Sequence, residues 1–186
     1  AALTCEARPG DGNFRQLREA GRQLSPLQLR RAKAAVRPGD TDMILFTSGS
    51  TDTPRGVVTT HFARANLAVS QAELLRAIPD DRFLSALPTF HCFSLTATVL
   101  AAFAAGACLC LPEDRHTKTL LDTIQSQRCT VFTAVPTLFS AILARPDLDA
   151  WDLSSLRTGL IGGSIYPPEL FEQIARRLRF TLLPSL

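Results

Sequence analysis

The chain has 186 residues, 46% hydrophobic and 20% charged, with a formal net charge of +3. That length and balance suit one packed domain with a real core and are far from the composition of a disordered or fibrous chain. The mild positive charge lacks a Lys/Arg-dense face, which argues against a nucleic-acid groove. Arg30-Arg31 and Arg176-Arg177 are the only adjacent basic pairs, and both fall in helix-like stretches.

Residues 1–40 begin Gly/Pro/Arg-rich and run into an amphipathic stretch from about Pro26 to Val36, with Ser25 as N-cap and Pro26 at the first helical position. They read as a lead-in segment, with a second region over 41–186. Pro38-Gly39-Asp40 is a turn. A strand over 42–47, a polar loop, a strand over 56–60 and a helix over about 62–77 follow. Pro79-Asp80-Asp81 then turns the chain into a strand at 82–87, and a helix runs from about 93 to 105. The next expected pairs are strand 107–111 with helix 117–127, and strand 129–132 with helix 136–144. Strand 157–161, helix 167–178 and strand 180–183 close the chain.

Short apolar strands alternating with helices predict an α/β fold: a mostly parallel sheet flanked by helices in βαβ units. In such sheets ligands sit outside the carboxyl ends of the strands. The loop after residue 46, Phe90-His91 and Gly162-Gly163-Ser164 each follow an expected strand, so all three are expected to face one cleft. No run of 18 uncharged apolar residues occurs, and the stretch from Leu95 to Leu111 is interrupted by Gly106. No transmembrane segment is therefore expected, and the N-terminus shows no apolar leader core.

The densest chemistry lies in Thr47-Ser48-Gly49-Ser50-Thr51-Asp52-Thr53-Pro54-Arg55-Gly56. Clustered hydroxyls and two glycines offer O–H and N–H donors that can converge on one anion, and Arg55 adds a fixed charge suited to phosphate oxygens. The G-x-x-x-x-G-K-[ST] spacing is absent, and no G-x-G-x-x-G opens a helix. On composition alone a Ser/Thr/Gly surface turn between two strands explains these residues equally well.

This stretch resembles the phosphate-binding motif of the adenylate-forming superfamily, usually T-S-G-[ST]-T-G-x-P-K-G. Thr59-Thr60-His61 with Asn66 is similar to the segment that opens the next helix in that family. Leu87-Pro88-Thr89-Phe90-His91-Cys92-Phe93-Ser94-Leu95 resembles its L-P-x-F-H-x-x-G-L. Asp152-Leu153-Ser154-Ser155-Leu156-Arg157-Thr158-Gly159, then Gly162-Gly163-Ser164 and Pro167-Pro168-Glu169, resemble its D-L-S-S-L-R-x-G and following G-[GA]-[SA]-x-x-x-P-E. Residues 129–132 and 135–139 are most similar to the medium- and long-chain fatty acyl-CoA synthetase branch. The likeness runs from about Phe14 to the end of the chain. Three positions depart from the pattern: Asp52 and Ser94 stand where the family has Gly, and Arg55 where it has Lys.

The resemblance implies part of an N-terminal adenylation (AMP-binding) domain over 41–186. It implies a ligase that activates a fatty carboxylate as acyl-AMP and passes it to coenzyme A, with ATP, Mg²⁺ and coenzyme A as small-molecule co-reactants. Residues 47–55 would hold the phosphates, with Thr51 on the metal. His91 would lie beside the carboxylate and α-phosphate, and Gly162, Gly163 and Ser164 would line the adenine and acyl pocket. Without the family, His91 reads as a capped, hydrogen-bonded histidine and Gly162-Gly163-Ser164 as a strand-end turn. Phe93, Leu95 and Val135 are candidates for an apolar acyl slot, which core packing would explain as well. The family's later elements would lie beyond Leu186, so these residues alone are expected to be inactive. The alternative is a non-catalytic truncated homologue with weak nucleotide binding or an interaction role. Remoter is another ligase of the superfamily, an aryl-CoA synthetase or a peptide-synthetase domain. The five cysteines show no C-x-x-C and no zinc spacing, and read as small buried hydrophobes of an intracellular, reducing compartment, most simply the cytoplasm.

Overall fold

In the computed structural model, which describes residues 14–46 and 54–185, the chain forms two units, Ala1–Asp40 and Thr41–Leu186. In the first, α1 (Phe14–Arg22) precedes α2 (Pro26–Ala35). The Ser25 hydroxyl accepts from Gln28 N–H at 3.2 Å, and Gln28 Oε1 accepts from Ser25 N–H at 2.8 Å. Ser25 is thus the N-cap that its sequence predicts, and Gln28 completes a reciprocal capping box that the sequence reading did not assign. Helix α1 is absent from the sequence-based expectation. It contains Gly21, has no acidic residue in its first turn and has no Pro at its first position, so its sequence signal is weak.

The second unit opens with an antiparallel hairpin of β1 (Thr41–Phe46) and β2 (Gly56–Thr60), in which Phe46 faces Gly56 and Ile44 faces Val58. This corrects the expectation of one continuous strand–helix alternation, because the hairpin is a separate two-stranded sheet. Helix α3 (His61–Leu74) follows directly, with the Thr60 hydroxyl accepting from Ala63 N–H at 3.2 Å. The ladder register shifts between Thr41 and Met43. Asp42 lies at that shift, where it pairs with Arg64 and stands 3.5 Å from His61 Nδ1. Arg64 also donates to the Thr59 hydroxyl at 2.7 Å, so the helix start and hairpin base form one polar joint.

The remaining elements build a five-stranded sheet in the order β4-β3-β5-β6-β7, every pair parallel. Strand β3 (Arg82–Leu84) leads to a helix in three consecutive segments: α4 (Cys92–Ser94), a π-helical stretch (Leu95–Leu100) and α5 (Ala101–Ala105). Then come β4 (Cys108–Cys110), α6 (Thr117–Gln127), β5 (Val131–Phe132) and α7 (Pro136–Leu143). A 3₁₀ turn (Leu148–Ala150), β6 (Thr158–Ile161), α8 (Pro168–Leu178) and β7 (Thr181–Pro184) complete the unit. The α/β parallel architecture is the one the alternating pattern predicts.

Alternation along the buried strands sends successive side chains to opposite faces. Phe83, Val131 and Leu160 pack with Ala72, Leu75, Ala97, Ala101 and Ala102 on the face of α3 and α5. Leu84, Phe132 and Ile161 pack with Leu121, Ile124, Phe139 and Ile174 from α6, α7 and α8. Phe132, Phe139 and Phe180 form an aromatic triangle there, with centroids 5.0 to 6.5 Å apart. Among the described residues, no helix is long and apolar enough to cross a membrane.

The amino edge of the sheet is tied by one buried carboxylate. Asp81 is 1% exposed and accepts from Arg157 Nε at 2.8 Å, from the Thr130 hydroxyl at 2.6 Å and from Ile78 N–H at 2.8 Å. Arg157 also donates to the carbonyls of Leu75 and Arg76 at 3.1 and 2.9 Å, the end of α3. Burial pushes the Asp81 carboxyl up, but hydrogen bonds from Arg157, Thr130 and Ile78, with the Arg157 charge, outweigh it and hold the group below its ordinary value. A depressed folded value means this contribution is complete above the unfolded pKa, near 4, and fades as pH falls through the folded one. Asp81→Ala should therefore cost about 3 kcal/mol at pH 7, since it leaves Arg157 and Thr130 without their partner. In urea titrations between about pH 4 and 2, the wild type should lose stability more steeply than Asp81→Asn.

Candidate functional site

In a parallel sheet every strand delivers its following loop to the same edge. At the carboxyl edge here, residues 85–91 leave β3, 133–135 leave β5, 162–164 leave β6 and Ser185 follows β7. Backbone bonds stitch the last three together. Ala134 N–H donates to Leu160 O at 3.0 Å, Gly162 N–H to Ala134 O at 3.4 Å and Ser185 N–H to Ile161 O at 2.8 Å. His91 and Gly162-Gly163-Ser164 thus stand on loops of one edge, separated by the loop that leaves β5.

The turn carrying His91 is braced from both sides. His91 N–H donates to Pro88 O at 3.0 Å, and Leu95 N–H donates to His91 O at 2.9 Å. His91 is the N-cap of α4, its Nδ1 accepting from Phe93 N–H at 3.3 Å. With Nδ1 used as acceptor, the neutral ring carries its proton on Nε2, which is the atom left to meet a ligand. Ser94 is fully buried and donates its hydroxyl to Leu87 O at 3.1 Å. The capped-histidine reading and the family role are compatible, since they use opposite ring nitrogens.

Gly162 and Gly163 are glycines for separate reasons. A Cβ on Gly162 would lie 2.4 Å from Ser185 O, so the close approach of β6 and β7 requires its absence. Gly163 has φ of +87°, and a Cβ there would touch Val135 Cγ1 at 3.4 Å. Val135 is half-buried beside this turn, whereas Phe93 packs into the core cluster of α3 and α5. Two residues on this edge that the sequence reading did not assign are conspicuous. Phe90 is 77% exposed and Ile165 101% exposed, apolar side chains presented to solvent beside His91 and Ser164. Their signal in sequence was only adjacency to motif residues.

The hydroxyl-rich loop differs in setting. Thr47, Ser48, Gly49, Ser50, Thr51, Asp52 and Thr53 lie outside the described residues, as do residues 1–13 and Leu186. Pro54 and Arg55 are described and exposed, just before Gly56. The pairing of Phe46 with Gly56 closes residues 47–55 into a hairpin loop. Its flanking strands β1 and β2 are the strand–loop–strand expected from the sequence, and they pair antiparallel outside the five-stranded sheet. Among the described residues, no group of three or more His, Cys, Asp or Glu side chains could hold a metal ion.

The AMP-binding enzyme family model matches residues 6–184. YngI of Bacillus subtilis, provisionally named an acyl-CoA synthetase, is 41% identical over 133 residues, covering 72% of this chain and 24% of that one. The acyl-CoA ligase SID4 of Ajellomyces capsulatus is 32% identical over 175 residues, covering 94% of this chain and 30% of its own length. Among solved structures, an O-succinylbenzoate coenzyme A synthetase from Bacillus subtilis in complex with ATP and magnesium aligns with a TM-score of 0.69 and 28% identity. The alignment covers 81% of this chain and 31% of that one. The chain thus spans 24% to 30% of the length of these two curated relatives.

The tight contact at the β6 exit makes a direct test. Gly162→Ala should force the Ser185 carbonyl away and cost about 2 kcal/mol in urea denaturation. Unchanged stability would mean that the β6 and β7 exits separate freely.

Proposed function

The chain belongs to the AMP-binding enzyme family, and on that premise we propose that it supplies the phosphate loop and part of the acyl-adenylate pocket of an ATP-dependent acid–thiol ligase. The observation that carries the proposal is the hydroxyl–glycine–cation loop 47–55, closed by the Phe46 and Gly56 pair, within a match over residues 6–184. In this reading residues 1–40 are a lead-in segment and 41–186 are part of the adenylation domain.

The proposed reaction has two steps. A carboxylate oxygen attacks the α-phosphorus of ATP, forming acyl-AMP as the bond to the pyrophosphate leaving group breaks. The sulfur of coenzyme A then attacks the acyl carbon and AMP leaves. Nucleotidyl transfer depends on positioning and charge neutralisation more than on a protein nucleophile. Thr47, Ser48, Ser50, Thr51 and Thr53, with N–H groups of the loop that includes Gly49 and Pro54, would hold the β- and γ-phosphates, and Arg55 would neutralise them. The donor set fits Mg²⁺, which takes hard oxygen ligands. The Thr51 hydroxyl would hold it with phosphate oxygens and water, Asp52 adds a carboxylate of the same ligand class, and the ion would supply further charge neutralisation.

At the carboxyl edge the His91 Nε2 proton, left over once Nδ1 accepts from Phe93 N–H, would donate to a carboxylate or α-phosphate oxygen. Gly162, Gly163 and Ser164 offer a turn without bulk for the adenine and the acyl group. We assign the carboxylate as a medium- or long-chain fatty acid. Support comes from the likeness of residues 129–139 to that branch, and from exposed Phe90 and Ile165 with half-buried Val135 along the same edge. The four described cysteines are free thiols, which supports a reducing intracellular compartment.

The test, run on the chain extended to the full length of its relatives, is ATP-dependent pyrophosphate release with a panel of fatty acids, together with calorimetry of MgATP binding. Arg55→Ala should weaken MgATP about tenfold, or about 1.4 kcal/mol, without changing the fold. Wild-type protein that neither binds MgATP nor releases pyrophosphate would overturn the reading. His91→Asn keeps an N-cap acceptor, so it should fold normally while acyl-AMP formation drops about a hundredfold with little change in ATP affinity. Unchanged turnover in that variant would reduce His91 to its capping role.

A further inference from the structure

The charge that is mild over the whole chain is unevenly placed. Residues 14–40 hold seven Lys and Arg residues against two acids, Glu19 and Asp40, a net charge of +5. Residues 41–186 hold twelve basic and thirteen acidic residues, a net charge of −1. Both acids of the first unit are locally engaged. Glu19 pairs with Arg22 at 2.8 Å, and Asp40 accepts from Arg37 N–H at 2.7 Å. Every residue from Arg15 to Asp40 is exposed, the leucines included. A core therefore does not account for the apolar residues of α1 and α2.

Their placement is regular. Leu17, Ala20 and Leu24 recur at i, i+3 and i+7, which is one side of a helix. Gln23 N–H donates to Ala20 O and Leu24 N–H to Gly21 O, both at 3.2 Å, so the last turn of α1 carries on to Leu24. Arg15, Arg18 and Arg22 recur at the same spacing on the other side. In α2, Leu29, Ala32 and the C-cap Val36 repeat the apolar spacing beside Arg30 and Lys33. Leu17 is 69% and Leu24 54% exposed. Helices with an apolar stripe, a basic face and little overall hydrophobicity lie in membrane interfaces, with leucines among the acyl chains and cations at anionic headgroups. A nucleic acid would match the cations and leave the leucines in water.

We propose that α1 and α2 form an interfacial anchor whose partner is an anionic lipid bilayer. Charge complementarity draws the unit to the surface, and burial of Leu17, Leu24, Leu29 and Val36 below the headgroups holds it there. The anchor does not rest on the assigned reaction. A fatty carboxylate also partitions into bilayers, so the two readings together bring enzyme and substrate to one surface.

The experiment sediments protein with vesicles of phosphatidylcholine alone or with about one-third phosphatidylglycerol. It uses both the 186-residue chain and the chain extended to the full length of its relatives. Both should partition at least about tenfold more strongly onto the anionic vesicles, and about 0.5 M salt should remove most of that preference. Leu17→Gln with Leu24→Gln should weaken partitioning about tenfold. Arg15→Gln with Arg18→Gln should do the same, each pair with an unchanged thermal melt. If a variant alters the melt, the wild-type comparison of neutral with anionic vesicles decides alone. Equal partitioning onto both vesicles would overturn the proposal. So would loss through the arginine pair but not the leucine pair, with equal binding to heparin, since that describes a purely ionic surface. Binding by the shorter chain alone would mean that the face is internal to the longer fold, and a dimer that ignores vesicles and dissociates in the leucine variant would mean that a second copy covers it. Either result also sinks the anchor.

Discussion

The second unit depends on a carboxylate that cannot be left alone. Asp81 is buried at the entry to β3, and an ionised carboxylate in that setting must be paired and hydrogen-bonded to be tolerated. Its donors come from Thr130 before β5, Arg157 before β6 and the turn at Ile78. Arg157 N–H also donates to Thr130 O at 2.9 Å, and Arg82 N–H to the Thr130 hydroxyl at 2.9 Å. One anion thus sets the relative height at which three neighbouring strands begin. In parallel strands of two to four residues, a fixed start also fixes where each strand ends. The loops holding His91, Val135 and Gly162 therefore leave the sheet from related positions because of a network at its opposite edge.

The two edges of the sheet differ in kind. At the amino edge polar groups are buried and mutually satisfied, which makes the arrangement costly to deform. At the carboxyl edge the turns carry exposed Phe90, Gly163 at positive φ and fully exposed Ile165. Glycine takes that left-handed turn without steric cost. The hairpin of β1 and β2 follows a third logic. Its base is joined to α3 by a polar clamp of Asp42, Arg64 and Thr59 rather than through the core.

Much of this was legible in the residues because the βαβ pattern is local. Helix α6 falls on the expected residues 117–127, and the Ser25 cap forms as its sequence predicts. Pairing partners are not local information, and there the reading failed. The run Met43-Ile44-Leu45-Phe46 looks the same whether its neighbour is parallel or antiparallel, yet it belongs to a hairpin. Strand β5 is confined to Val131–Phe132, and Cys129 N–H, expected in the strand, instead closes α6 by donating to Ile124 O. Asp81 itself read as a turn residue, and Arg157 read only as part of a motif. Their ion pair joins positions 76 residues apart, which no short-range pattern announces. At the site, His91 and Gly162 were legible as motif members, but the ring nitrogen left for chemistry and the Ser185 contact are visible only in three dimensions.

Ser94 shows how a departure from a family pattern should be weighed. Read as sequence, a serine in place of glycine at a helix start beside His91 is a loss, since it adds bulk and a polar group to a buried position. The structure answers both objections. The hydroxyl is fully buried but donates to Leu87 O, so no polar group is orphaned. That bond ties the exit of β3 to the start of α4 across the turn that carries His91, adding about 1 kcal/mol of restraint where a glycine would give none. The helix then passes into a π-helical stretch at Leu95–Leu100, in which Thr96 and Thr98 are buried. The wider turn re-aims the helix between the braced histidine and the alanine-rich face that packs on α3. Ser94 is thus a structural restraint on the turn that carries the histidine.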